Sequence, residues 1–109
     1  MIATRHILSG LGVLALVASA HCSSTFSDYC EKDRDCRGGN DADIDACVEE
    51  LRASENVASA YDCDNQFDDL SDCIKNAFCN TTTKRLDLSA CRTQSEALSN
   101  CQKAASAKK

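Results

Sequence analysis

The chain has 109 residues, nine of them cysteine, with no proline or tryptophan and a formal net charge of −5. A balance this acidic disfavours nucleic acid and anionic lipid surfaces as partners. The two histidines, His6 and His21, lie at the N-terminus. The rest of the chain therefore has no Ser-His-Asp or Cys-His catalysis and no His-ligated metal site.

The N-terminus has the three-part order of a secretory signal peptide: a positive start at Arg5, an apolar stretch over 7–17, and the small-residue motif Ala18-Ser19-Ala20. The uncharged run over 7–20 is too short to span a bilayer as a helix, which takes about 20 residues. The expected organisation is a signal peptide over 1–21, a flexible tether over 22–26, a disulfide-stapled helical domain over 27–105 and a basic tail over 106–109. Two cuts fit the signal. One follows Ala20; the other leaves Cys22 as the new N-terminus with a lipid on its sulfur. Cysteine parity favours the second, since setting Cys22 aside leaves eight cysteines that can pair completely.

Beyond the signal, twelve residues out of about 88 are Ile, Leu, Val or Phe. That is below the roughly 20% at which chains tend toward disorder, so the domain needs covalent staples. Removing Arg5 leaves eleven Lys and Arg against seventeen Asp and Glu. The periodicity is helical throughout, and the expected fold is all-α: a small disulfide-stapled bundle of about four short helices. A first helix is expected over 27–36, stopped by Gly38-Gly39. A second starts at Asn40 or Asp41, with Asp43 and Asp45 suited to its positive end. Its inward stripe is Ile44, Cys47, Val48 and Leu51, extended by Ala58 and Tyr61. A third starts near 62–64 and carries Phe67, Leu70, Ile74 and Phe78 inward, until Asn80 and Thr81-Thr82-Thr83 end it. A fourth covers 87–105 with Leu88, Cys91, Leu98 and Cys101 inward. No strand is expected, because no alternation extends over five residues.

Cys30-x5-Cys36-x10-Cys47 echoes Cys73-x5-Cys79-x11-Cys91, as two related helical hairpins would. Two acidic groups stand out. Asp41, Asp43 and Asp45 open like a calcium loop, but Ala46 and Arg52 stand where that loop wants Gly and Glu, so helix-start carboxylates are the better explanation. Asp64, Asp68 and Asp72 recur every four residues and are expected to form a solvated face. Asn80-Thr81-Thr82 matches the N-glycosylation sequon. No Cys-x-x-Cys occurs, which argues against zinc and thioredoxin-like chemistry. The expectation is a non-enzymatic chain without a cofactor.

Ser19-Ala20-His21-Cys22 resembles the lipobox of bacterial lipoproteins, with Ser19 in place of the usual Leu and His21 in place of a small residue. In overall build the chain is similar to small cysteine-rich exported bacterial lipoproteins of unknown function. That resemblance implies lipidation at Cys22 and a membrane partner through the anchor. Cys63-x9-Cys73 and Cys91-x9-Cys101 resemble the twin Cys-x9-Cys pattern of helical hairpin proteins of the mitochondrial intermembrane space. What this implies is geometric: two antiparallel helices cross-linked twice.

Eight cysteines allow 105 connectivities. Each Cys-x9-Cys pair spans about 15 Å of helix, which matches Cys63 to Cys101 and Cys73 to Cys91 at two heights. Cys36 and Cys47 flank the Gly38-Gly39 turn and are expected to close it, leaving Cys30 for Cys79. The functional expectation is a membrane-tethered envelope or surface module, outer-membrane or periplasmic, that binds a protein partner or plays a structural role. The alternative is a freely secreted effector or toxin.

Overall fold

A computed structural model describes residues 23–108, with side chains from Phe26 onward. The chain is mainly helical, in the order α1 (Ser23–Arg37), α2 (Asp41–Ala60), α3 (Asp64–Ile74), β1 (Phe78–Asn80), β2 (Arg85–Asp87), a 3-10 turn (Ser89–Cys91) and α4 (Arg92–Ser106). The all-α, disulfide-stapled bundle is what the structure shows. Because α1 begins at Ser23, most of the stretch expected as a tether is instead the first turn of a helix.

The first reversal follows from local backbone chemistry. Gly38 takes a left-handed φ of 73°, and the Gly39 N–H donates to the Arg34 carbonyl at 2.9 Å, the bond of a Schellman ending. A Cβ at Gly39 would collide with the Asp43 carboxylate. Asn40 then caps α2: its side chain accepts from the Ala42 N–H at 2.9 Å, while Asp43 accepts from the Asn40 N–H at 2.7 Å. This is a capping box with Asn and Asp in place of Ser and Glu. Helix α2 ends in the same way as α1. Cys63 N–H donates to Ala58 O at 2.8 Å, but the left-handed residue is Asp62, at φ 56°. Aspartate is among the few residues other than glycine that visit this region readily.

The principal core joins the N-terminal end of α1 to the turn between α2 and α3. Phe26, Ala58, Cys63 and Phe67 are buried together, with Val48, Leu51, Leu98 and Cys101 against them. The Phe26 and Phe67 rings meet edge to face, 6.0 Å between centroids and at 85°, the favoured aromatic geometry. A smaller cluster of Cys36, Ala77 and Leu86, with Tyr29 beside it, seats the strand pair on α1.

Two expectations about the second half are corrected. Helix α3 stops at Ile74, and residues 78–87 form a short antiparallel hairpin pairing Phe78 with Asp87, Cys79 with Leu86 and Asn80 with Arg85. The Asn80 side chain accepts from the Thr82 and Thr83 N–H groups at 2.9 and 3.1 Å, and Lys84 closes the loop in a left-handed conformation. These local bonds offer the backbone an alternative to helix. From α1, Lys32 donates its ammonium to the Lys75 and Ala77 carbonyls just beyond α3, satisfying groups that a helix end leaves open. Phe78 therefore leaves the α3 stripe and is 70% exposed, and Leu88 precedes α4 rather than facing inward from it.

Four disulfides hold the bundle: Cys30–Cys47, Cys36–Cys79, Cys63–Cys101 and Cys73–Cys91. The two in the α3–α4 hairpin are those expected from helix heights. The other two exchange partners relative to the expectation of Cys36 with Cys47 and Cys30 with Cys79. The reason is again height. Cys36 sits about 1.5 Å from the end of α1, whereas Cys47 sits about 9 Å into α2. Cys30, about 10 Å back from the same turn, is the residue level with Cys47. Cys36 is left facing the strand pair, where it meets Cys79. Disulfides of this number mark an oxidising, exported environment. No helix among the described residues is long and apolar enough to cross a membrane.

Candidate binding groove

The residues singled out in the sequence are mostly structural. Cys22, the expected lipidation site, lies outside the described residues, as does the signal segment. The other eight cysteines are all oxidised, so the described residues hold no free thiol. Asp43 caps α2 and Asp41 pairs with Arg34 at 2.9 Å. Along α3, Asp64 meets the Ser59 hydroxyl and Asp72 pairs with Lys75 at 2.8 Å. Asn80 is exposed at the start of the hairpin loop. Of these, Cys91 lines a cleft and Asp43 and Cys47 line a hollow between α1 and α2, and no group of His, Cys, Asp and Glu suited to a metal occurs among the described residues.

What the fold does create is a groove. A cleft of about 600 Å³ opens between the α1–α2 hairpin and the α3–α4 hairpin. Its apolar wall comes from both sides: Tyr29 and Leu51 from the first hairpin, and Leu70, Ile74, Leu88 and Cys91 from the second. Ile74 is buried, Leu51 and Leu70 are half-buried, and Leu88 is exposed, so the cleft runs along the edge of the core. Beyond it stand Ser89, Ser95, Arg92 and Glu96, the last two paired at 3.4 Å. The Cys73–Cys91 disulfide joins α3 to the 3-10 turn beside this wall, and Cys30–Cys47 joins the helices carrying Tyr29 and Leu51. The walls are thus fixed covalently, as a preformed site requires.

Tyr29 is the hub. It also borders a polar hollow of about 410 Å³ between α1 and α2, with Asp33, Arg37, Asp43 and Glu50, and a smaller one of about 240 Å³ along β2, with Arg85 and Leu86. Arg37 donates to Asp33 at 2.9 Å through Nε, and this hydrogen bond pushes the guanidinium up from its ordinary value. The Tyr29 phenol is pushed up chiefly by burial, then by the Asp33 carboxylate, with Glu50 adding to the effect and Arg37 opposing it. The phenol thus remains a neutral donor at physiological pH, beside a local excess of carboxylate. This polar hollow shares Tyr29 and Leu51 with the apolar cleft, so two chemically different hollows adjoin at these side chains.

The sequence alone did not point to the groove. Its lining comes from five separate segments, and Tyr29 carries no motif. The one available signal is the inward stripes of α2 and α3, which identify Leu51, Leu70 and Ile74 as core-facing without showing that a cleft opens beside them. The chain matches no protein-family model, and no curated protein or solved structure is significantly similar to it.

Proposed function

We propose that the chain is an exported, non-enzymatic binding module, tethered to a membrane through a lipid on Cys22, whose groove beside Tyr29 holds a protein partner. The observation that carries this reading is the uncovered apolar cleft between two covalently braced hairpins. Leu88 is 41% exposed at the cleft with Leu51 and Leu70 half-buried beside it, and apolar side chains open to solvent in one hollow favour an interaction role. The rest of the molecule supports a passive role. The described residues hold no histidine and no free thiol, and the carboxylates of the two acidic groups are engaged in caps and ion pairs or lie on a solvated face.

Tethering follows from the signal segment, the lipobox-like residues and the odd ninth cysteine. A helix starting at Ser23 leaves no spacer after an acylated Cys22, so the Phe26 end of the bundle would lie at the bilayer and the strand pair would point away. The intact mass of the native exported protein tests this. The expected species starts at Cys22, carries acyl chains and shows the mass deficit of four disulfides. A chain starting at His21 with an unmodified Cys22 would sink the tether and leave a freely secreted effector as the reading.

A further inference from the structure

The cleft and the adjoining hollow differ in how their charge is answered, and that difference selects a partner. In the cleft the pair Arg92–Glu96 neutralises itself. In the hollow, Asp33, Asp43 and Glu50 stand against a single cation, Arg37. Arg37 is engaged by Asp33, and Asp43 accepts from the Asn40 N–H. Glu50 is exposed and has no ion-pair partner among the described residues. An occupant spanning the cleft and the adjoining hollow, which share Tyr29 and Leu51, thus meets apolar walls in the first and an unpaired carboxylate in the second.

We propose that the groove docks a basic amphipathic helix of a protein partner, with leucine-like side chains between Leu51, Leu70, Ile74 and Leu88 and a Lys or Arg at Glu50 beside the Tyr29 ring. The inference rests on the binding role proposed above and names the chemistry of the partner. Helix-in-groove docking reads apolar side chains at spacings of three and four, which suits a cleft walled by helices. Pairing by edge strand is the weaker route, since β1 and β2 have three residues each. Asp33, Asp43 and Glu50 line the hollow beside Tyr29 against Arg37 alone, a local excess of carboxylate that favours a cation. A cation over an aromatic face adds further attraction. The net charge of −5 steers basic segments toward the chain at low ionic strength.

The test titrates the isotope-labelled, oxidised exported protein with two helical peptides of one apolar pattern, leucine at i, i+3, i+4 and i+7. One peptide carries lysine on its polar face and the other glutamate. The expected result is saturable binding of the lysine peptide, with amide shifts concentrated at Tyr29, Glu50, Leu70 and Leu88, and no binding of the glutamate peptide. Glu50→Gln should weaken binding by about fivefold, the loss expected for an exposed ion pair. Leu88→Ser should weaken it by about tenfold, as for a central apolar contact. Both positions are exposed, so these variants should keep the disulfide pattern and the spectrum of the free protein. Equal binding of both peptides, or shifts away from the groove, would overturn the basic partner while leaving a binding role intact. Saturation by dodecyltrimethylammonium but by neither peptide would replace the helix with a small amphiphile. A concentration-dependent dimer that buries Leu88 would replace it with a second copy. No occupant of any kind would refute this inference and the binding role together, whatever the mass measurement says about the tether.

Discussion

The two helical hairpins reverse direction by different means. Helices α1 and α2 turn through three residues, with Gly38 left-handed and Asn40 and Asp43 capping the next helix. One cystine, Cys30–Cys47, fixes their register. Helices α3 and α4 are separated by the strand pair and the 3-10 turn, and neither has a side-chain cap at its N-terminus. That hairpin carries two cystines, Cys63–Cys101 and Cys73–Cys91. Where local backbone chemistry sets the turn, one cross-link suffices. Where the connection is long, two heights are pinned covalently. The lesson is that in a domain with so little apolar surface, cystines are placed where the turn itself leaves the register open.

The largest expected effect removes both kinds of control. Full reduction should unfold the domain, because the apolar content cannot offset backbone entropy without staples. Unchanged tertiary circular dichroism in excess reductant would show that the two halves fold without their cystines. Next, replacing single cystines by paired serines should rank them by loop length. Losing Cys36–Cys79, separated by 43 residues, should cost about 4 kcal/mol. Losing Cys73–Cys91, separated by 18, should cost about 3 kcal/mol. Denaturant melts decide this, and the reverse order would mean that native contacts, rather than chain entropy, dominate the second half. Smaller still, Asn40→Ala should destabilise by about 1 kcal/mol through loss of the α2 cap. Hydrogen exchange should show the opening confined to the α1–α2 turn, and opening that spreads into α3 would argue against independent halves.

The smallest effect concerns pH. Asp87 accepts from the Ser89 hydroxyl and backbone N–H, the latter at 2.9 Å, and these bonds hold its carboxyl below the ordinary aspartate value. The contribution to stability is complete above that ordinary value and fades as pH falls through the lower, folded one. A nuclear magnetic resonance titration should show the Ser89 amide shifting with Asp87 in that acidic window, below the range of an ordinary aspartate. An Asp87 that titrates at or above the ordinary value would remove this difference.

Much of this comparison is legible in the residues. Gly38-Gly39 and Asn40 announce the first turn, and equal Cys-x9-Cys spans announce the matched heights of the second hairpin. Cys36 and Cys47 mislead because nearness to a turn along the chain is not nearness in height once both residues are on helices. The internal echo carries the corrective signal. Cys73–Cys91 joins the first and third cysteines of its triplet, Cys30–Cys47 does the same in the other, and the middle pair, Cys36 and Cys79, join each other. The strand pair has no such signal. Three-residue strands are too short for alternation, and Asn80-Thr81-Thr82-Thr83 reads equally as a helix stop. Nor does the groove, since whether Leu70 and Leu51 are covered depends on how far apart the hairpins settle.

Viewed as a wiring diagram, the molecule has one odd link. Among the described residues three cystines close circuits within a hairpin, and only Cys36–Cys79 crosses from one to the other. The backbone makes its own crossing at Tyr61 and Asp62, between α2 and α3. A single proteolytic nick there would leave the halves riding on one sulfur–sulfur bond. Such a molecule would run as one intact species until a reductant was added, and then fall apart into two pieces of nearly equal size.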